Sequence, residues 1–215
     1  MMKTQFFRNR LSQFSVRFFS CIAISFFLQA CASKQVPIKY YDFGVIPKPV
    51  AAVPAPGPAC KLPLLQLADI TAPSSLSSNM MLYRLLYSDE QQTHTYANHR
   101  WNMTPVQLLT QRIKMQLAAR GAKLIDSGIN KLNVLQLRLE IEDFNQYFTD
   151  ATRSYAQLQI RASLIREHKL LAQTMLQQQV NADSADAPAG AKAMRLATDE
   201  LILNLTHWLC EQTEP

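Results

Sequence analysis

The chain has 215 residues, 48% of them apolar and 18% charged, with 5 Gly against 11 Pro. That length supports one domain with a substantial core, and the apolar fraction excludes a disordered chain. The formal net charge of +6 sits mostly in residues 1–30, where Lys3, Arg8, Arg10 and Arg17 meet no acid. The rest holds 18 basic against 16 acidic side chains, too even a balance for nucleic-acid binding.

Residues 1–30 read as a targeting segment. A basic stretch ending at Arg17 precedes an apolar run from Phe18 to Leu28. The run suits a secretory h-region and falls far short of the about 20 residues a spanning helix needs. Leu28-Gln29-Ala30-Cys31 then sets a Leu three before a Cys and a small residue directly before it. This resembles the bacterial lipobox. The resemblance implies cleavage before Cys31, a thioether-linked diacylglycerol on its sulfur and an acyl group on the new amino terminus. Several acyl chains anchor stably where one is marginal. Ala32 and Ser33 follow, and the absence of Asp there resembles the outer-membrane default of lipoprotein sorting. The expectation is a lipid-anchored protein on the periplasmic face of the outer membrane.

Residues 31–37 read as the lipidated tether. Ile38 to Phe43 is aromatic and β-prone and ends at Gly44, so it predicts a first strand. Pro47, Pro49, Pro54, Pro56 and Pro58 then exclude regular structure and make 38–60 a strand followed by an extended connector. It is either a surface loop or part of a stalk over 32–60, which could reach on the order of 90 Å. With Cys21 removed and Cys31 lipidated, Cys60 and Cys210 remain. They form either two unpaired thiols or a disulfide closing a loop of about 150 residues, nominally worth about 4–5 kcal/mol.

Regular patterning begins with the main domain, residues 61–211. Leu62–Ile70 predicts a strand covered on both faces, and Met81–Tyr87 and Thr93–Ala97 predict a hairpin turning at Ser88–Gln92. Thr104-Pro105-Val106-Gln107 is a helix start, with Thr as N-cap, Pro at the first helical position and Gln three after the cap. Leu109, Ile113 and Leu117 supply that helix's apolar stripe, and Gly121 ends it. A short strand over Lys123–Asp126 follows. Across 135–142, Leu135, Leu137, Leu139 and Ile141 alternate with polar residues, and 155–164 repeats the pattern from Ala156 to Leu164. Such alternation means one buried and one wet sheet face. A turn at Arg166–Lys169 leads into a polar strand near 170–180, and Asn181–Gly190 reads as a loop. A last helix from Pro188 to Cys210 carries Met194, Ala197, Leu201, Leu205 and Trp208 on one face. The sum is α+β: a two-layer sandwich of about 5–6 mainly antiparallel strands with two amphipathic helices on one face.

Several pieces recur in a known order. Tyr40-Tyr41-Asp42-Phe43-Gly44 follows the lipobox, and Leu67-Ala68-Asp69-Ile70 precedes Pro73, Ser74 and Leu76. Met81-Leu82-Tyr83-Arg84, Tyr96-Ala97, Arg100-Trp101, Leu139 to Phe144 and a terminal Trp208-Leu209 complete the set. Over roughly 36–210 the chain resembles the ABC-type transport auxiliary lipoprotein family. The resemblance implies a non-enzymatic subunit that works with an MCE-domain protein and its inner-membrane permease in moving lipids or other hydrophobic molecules between membranes. A homo-oligomer matching an MCE ring is consistent with that role. The alternative is a structural or assembly lipoprotein supporting an outer-membrane β-barrel.

No nucleophile elbow, zinc-protease motif or phosphate-binding glycine loop is present. His94, His99, His168 and His207 lack metal-ligand spacing and read as surface residues, and no cofactor is implied beyond the acyl anchor. Glu140 and Glu142 fit the wet face of a strand, with Arg138 compensating their charge. Tyr83, Arg84, Tyr96, Arg100 and Trp101 are the candidate partner interface, because aromatics and Arg dominate binding hot spots. Alternation sends Tyr83 and Arg84 to opposite faces, so the five do not make one patch.

Overall fold

The strand announced by strict alternation along 135–142 runs on to Phe148 and is the longest of the sheet. The computed structural model describes residues 36–45, 62–125 and 134–213. The predicted signal peptide, the lipidation site Cys31, the Pro-rich segment and Cys60 lie outside the described residues. The strands are β1 (Lys39–Tyr41), β2 (Leu64–Leu67), β3 (Met80–Leu85), β4 (Asp89–Trp101), β5 (Lys123–Ile125), β6 (Leu135–Phe148), β7 (Ser154–Arg166) and β8 (Lys169–Asn181). The helices are α1 (Pro105–Ala119), between β4 and β5, and α2 (Ala187–Thr213), after β8.

The 14-residue β6 organises the sheet. One edge pairs along its length with β7, which pairs with β8, all antiparallel. The other edge is shared: β2 lies parallel to the first half, and β3 lies parallel to the second. Beyond them come β5 on one side and β4 then β1 on the other. A bulge between Ile141 and Asp143 in the β6–β7 ladder changes the phase of alternation. Buried residues run 135, 137, 139, 141 before it and 144, 146, 148 after it. The bulge inserts one residue, so each half keeps its apolar side on the core.

The helices hold one face of this sheet, α2 across β7 and β8, with α1 beside α2 and against β5. The capping box predicted for α1 is formed. Thr104 Oγ1 accepts the Gln107 N–H, and Gln107 Oε1 accepts the Thr104 N–H at 3.0 Å. Gly121 follows the helix at φ +88°, a left-handed value that suits a residue without Cβ. Leu109, Ile113 and Leu117 are buried as their spacing requires, as are Met194, Ala197, Leu201 and Leu205 of α2. Trp208 is only half-buried. The β7–β8 turn places Glu167 at φ 50° and His168 at φ 63°, the paired left-handed geometry that tight hairpins favour.

The architecture departs from expectation in strand number and direction. Among the described residues there are eight strands rather than 5–6. The sheet is mixed, because β1–β4, β2–β5, β2–β6 and β3–β6 are all parallel. Strands of three or four residues are too short to show a period, and direction depends on chain path rather than on local sequence. Within 62–70 only Leu64–Leu67 is strand, and Leu64 is exposed instead of covered. The chain nevertheless stays on β6 through an isolated bridge from Thr71 to Glu140. The first hairpin turns earlier than predicted, at 86–88, so β4 runs for 13 residues.

Candidate functional site: an aromatic row on the β3–β4 hairpin

Antiparallel pairing of β3 with β4 sets Tyr83 opposite His94, and their rings stack with centroids 5.1 Å apart. Tyr83 also packs on Tyr96 at 4.6 Å and edge-on against Phe148 at 5.5 Å. Tyr96 meets His99 at 5.9 Å, and His99 stacks on Tyr41 of β1 at 5.6 Å. Tyr41 Oη lies 2.9 Å from His99 Nδ1. The result is a row of half-buried rings crossing β3, β4 and β1.

One buried amide ties this row to the helical layer. Tyr96 Oη donates to Gln146 Oε1 at 3.0 Å. Gln146 Nε2 in turn donates to Ser154 Oγ at 2.8 Å and to the Asp186 carbonyl at 3.1 Å. Asp186 precedes α2 and accepts the Ala189 N–H at 2.9 Å, so its carboxylate caps the helix. Gln146 thereby fastens β6, β7, the start of α2 and the aromatic row at one point. A lone polar residue in the β6 pattern was the only sequence trace of this hub.

The predicted interface residues separate in space. Tyr83 and Tyr96 lie together in the row. Arg84 serves the hairpin backbone, donating from Nη1 to the carbonyls of Glu90 at 3.0 Å and Gln91 at 2.9 Å. Arg100 does the same farther along β4, donating to the carbonyls of Tyr96 and His99. Trp101 is 3% exposed and packs on Phe43 and Phe144 at 5.9 and 5.5 Å, so it is a core side chain. His94 and His99, expected as surface residues, act here as aromatic rings of the row.

Glu140 and Glu142 do sit on the wet side, but their counter-ion is different. Arg161 of β7 bridges both, because the register pairs it with Glu140 and Arg138 faces Ser163 instead. Among the described residues no three His, Cys, Asp or Glu group closely enough to hold a metal ion. None of the described helices is long and apolar enough to cross a membrane. Cys210 is buried and disulfide-bonded, and its partner lies outside the described residues.

Burial raises the phenol pKa of Tyr96, aided by neighbouring Tyr83 and by the Asp186 charge. Tyr147 is raised in the same way, with Asp143 beside it as both charge and hydrogen-bond acceptor. A raised folded value means the folded state holds these protons more tightly than the unfolded chain. The stabilisation is complete below the ordinary tyrosine pKa of about 10 and is lost as pH climbs above it. The melting temperature should therefore hold steady between about pH 7 and pH 9 and fall above about pH 10. The fall should be shallower in a Tyr96→Phe/Tyr147→Phe variant, and an identical profile would show that these phenols do not matter.

Comparison with solved structures places the fold. A DUF330-family protein from Xanthomonas campestris matches at TM-score 0.64 and 16% identity, over 73% of this chain and 90% of that one. An uncharacterized protein matches at TM-score 0.62 and 11% identity, over 81% and 99% of the two chains. At those identities the likeness is one of fold. No curated protein matches the chain. The sequence profile described as the ABC-type transport auxiliary lipoprotein component matches residues 44–205, well over half of the chain. The chain belongs to the ABC-type transport auxiliary lipoprotein family.

Proposed function

We propose that the protein is an outer-membrane-anchored periplasmic lipoprotein and the accessory, docking subunit of an MCE-type, PqiABC-like intermembrane lipid transport system. The observation that carries this reading is the family match over residues 44–205. The acyl chains on Cys31 hold the protein at the membrane, and the folded domain grips an MCE-domain protein that works with its inner-membrane permease. The role is geometric rather than catalytic. The row of Tyr41, Tyr83, Tyr96 and His99 supports it by offering aromatic area, half-buried and pre-ordered, at low entropic cost to a partner.

The test is affinity capture of C-terminally tagged protein from solubilised envelopes, with mass spectrometry of what co-purifies. An MCE-domain protein and its permease should be recovered, and both should be lost with Cys31→Ala. Tyr83→Ala should weaken capture about thirty-fold, the effect of a hot-spot residue worth ~2 kcal/mol, while thermal unfolding stays cooperative. Recovery of an outer-membrane barrel without any MCE protein would overturn the reading in favour of barrel support.

A further inference from the structure

Both helices pack on one face of the sheet, and the opposite face of β6, β7 and β8 carries a patterned block of its own. The registers align Tyr147 with Tyr155 and Asn181, and Asn145 with Gln157 and Gln179. These residues share the face away from α2. At the end of this block lies a cavity of about 430 Å³ lined by Thr149, Thr152, Arg153, Tyr155, Gln179 and Asn181, among others. That volume is within the range of sites that hold small ligands, about 300–1,000 Å³.

The chemistry of the lining narrows the ligand. Tyr147 covers one face of the Tyr155 ring, stacked at 5.3 Å and 22°. Tyr155 stands between Tyr147 and Asn181 in the register and lines the cavity. Arg153 is held by Asp150, Nε to Oδ2 at 2.6 Å, and Asp183 is held by Lys192 at 2.6 Å. Charge is therefore neutralised where a phosphate or carboxylate would need a cation. Most of the lining side chains carry a hydroxyl, amide or charged group, which suits a hydroxyl-bearing ligand better than an acyl chain. Gln179 and Asn181 are exposed and line the cavity, so their side-chain amides offer it donors and acceptors of both kinds. Asp150 accepts the N–H groups of Thr152 and Arg153 at 2.8 and 2.9 Å, which fixes the loop at the rim.

We infer that this cavity binds a neutral oligosaccharide. The Tyr155 ring takes the C–H face of a sugar ring, and Gln179 and Asn181 bond its hydroxyl or acetamido groups. The site is separate from the aromatic row and does not depend on the transport reading. Such a site would give the anchored domain a second attachment in a glycan-containing compartment.

The test is calorimetric titration of the full chain, in a detergent without a sugar head group, with chitotetraose and separately with maltotetraose. Saturable binding of chitotetraose alone would assign an amino-sugar glycan, and equal binding of both would assign neutral glycans generally; each supports the site. Gln179→Ala/Asn181→Ala should lower affinity at least ten-fold with unchanged melting, since both side chains are exposed. Tyr155→Ala should do likewise, and Tyr155→Phe should retain binding. Absence of heat with either sugar at millimolar concentration, or full affinity in the double variant, would overturn the inference.

Discussion

Replacing Gly190 with Ala is expected to destabilise the protein by about 3 kcal/mol or more, although Ala is ordinarily the better helix former. Gly190 lies in the first turn of α2, directly over the Gln146 amide. A Cβ there would stand 2.8 Å from Gln146 Nε2 and closer still to its Oε1. A flexible amide could swing aside at the surface, but Gln146 is 4% exposed and held by Tyr96, Ser154 and Asp186. Overpacking costs about 1–3 kcal/mol, and each buried polar group left without a partner about 1–3 more. The aromatic row would loosen with it, since Tyr96 loses its acceptor. Urea denaturation followed by circular dichroism measures the effect. A Gln146→Ala background supplies the control: with the amide gone, Gly190→Ala should become neutral or stabilising by up to about 1 kcal/mol. Equal costs in both backgrounds would show that the clash with Gln146 is not the cause.

The second large effect belongs to Asp199, which joins the two helices. Arg112 of α1 donates to it from Nε and from Nη2, both at 2.7 Å, and Gln116 donates from Nε2. Arg195 adds a weaker contact at 3.4 Å. The Arg112 side chain is 3% exposed while that of Asp199 is 26% exposed, so the guanidinium is the group that cannot recover hydration. Asp199→Ala leaves that cation buried without its partner and should cost about 3 kcal/mol, the low end of the range for broken buried pairs because Asp199 is partly solvated. Arg112 also reaches the Gly44 carbonyl at 3.4 Å, so the segment that follows β1 should loosen in hydrogen exchange. Arg112→Met/Asp199→Leu removes both charges and should recover most of the loss. A double variant no more stable than Asp199→Ala would mean that packing, and not the unpaired charge, sets the cost.

The features legible in the sequence are those whose cause lies within a few residues. Thr104, Pro105 and Gln107 announce α1 because a cap is a contact between neighbours, and Gly121 ends it for the same reason. Leu135 to Ile141 and Ala156 to Leu164 reveal β6 and β7 because each half-buried strand repeats every two residues. Family membership was legible too, through the order of many weak motifs along the chain. Of the candidate site, Tyr83 and Tyr96 were recognisable by type, but their placement on one side of the hairpin depended on the observed register, which sets Tyr83 opposite His94.

What required the tertiary structure is whatever depends on distant partners. The bulge at Glu142 and Asp143 ends the visible alternation, yet β6 continues to Phe148 because β3 and β7 pair with it there. β1, β2 and β5 have three or four residues, and only neighbouring strands make them strands. Trp101 looks like an anchor for a partner until Phe43 and Phe144 enclose it. Arg161 rather than Arg138 neutralises Glu140 and Glu142 because cross-strand register, not position along one strand, decides which charges meet. His94 and His99 become part of an aromatic row only when β1 and β3 flank β4. Local sequence sets the period and the ends of elements, whereas the energy that selects strand direction, buried polar hubs and surface rows comes from contacts between residues far apart in the chain.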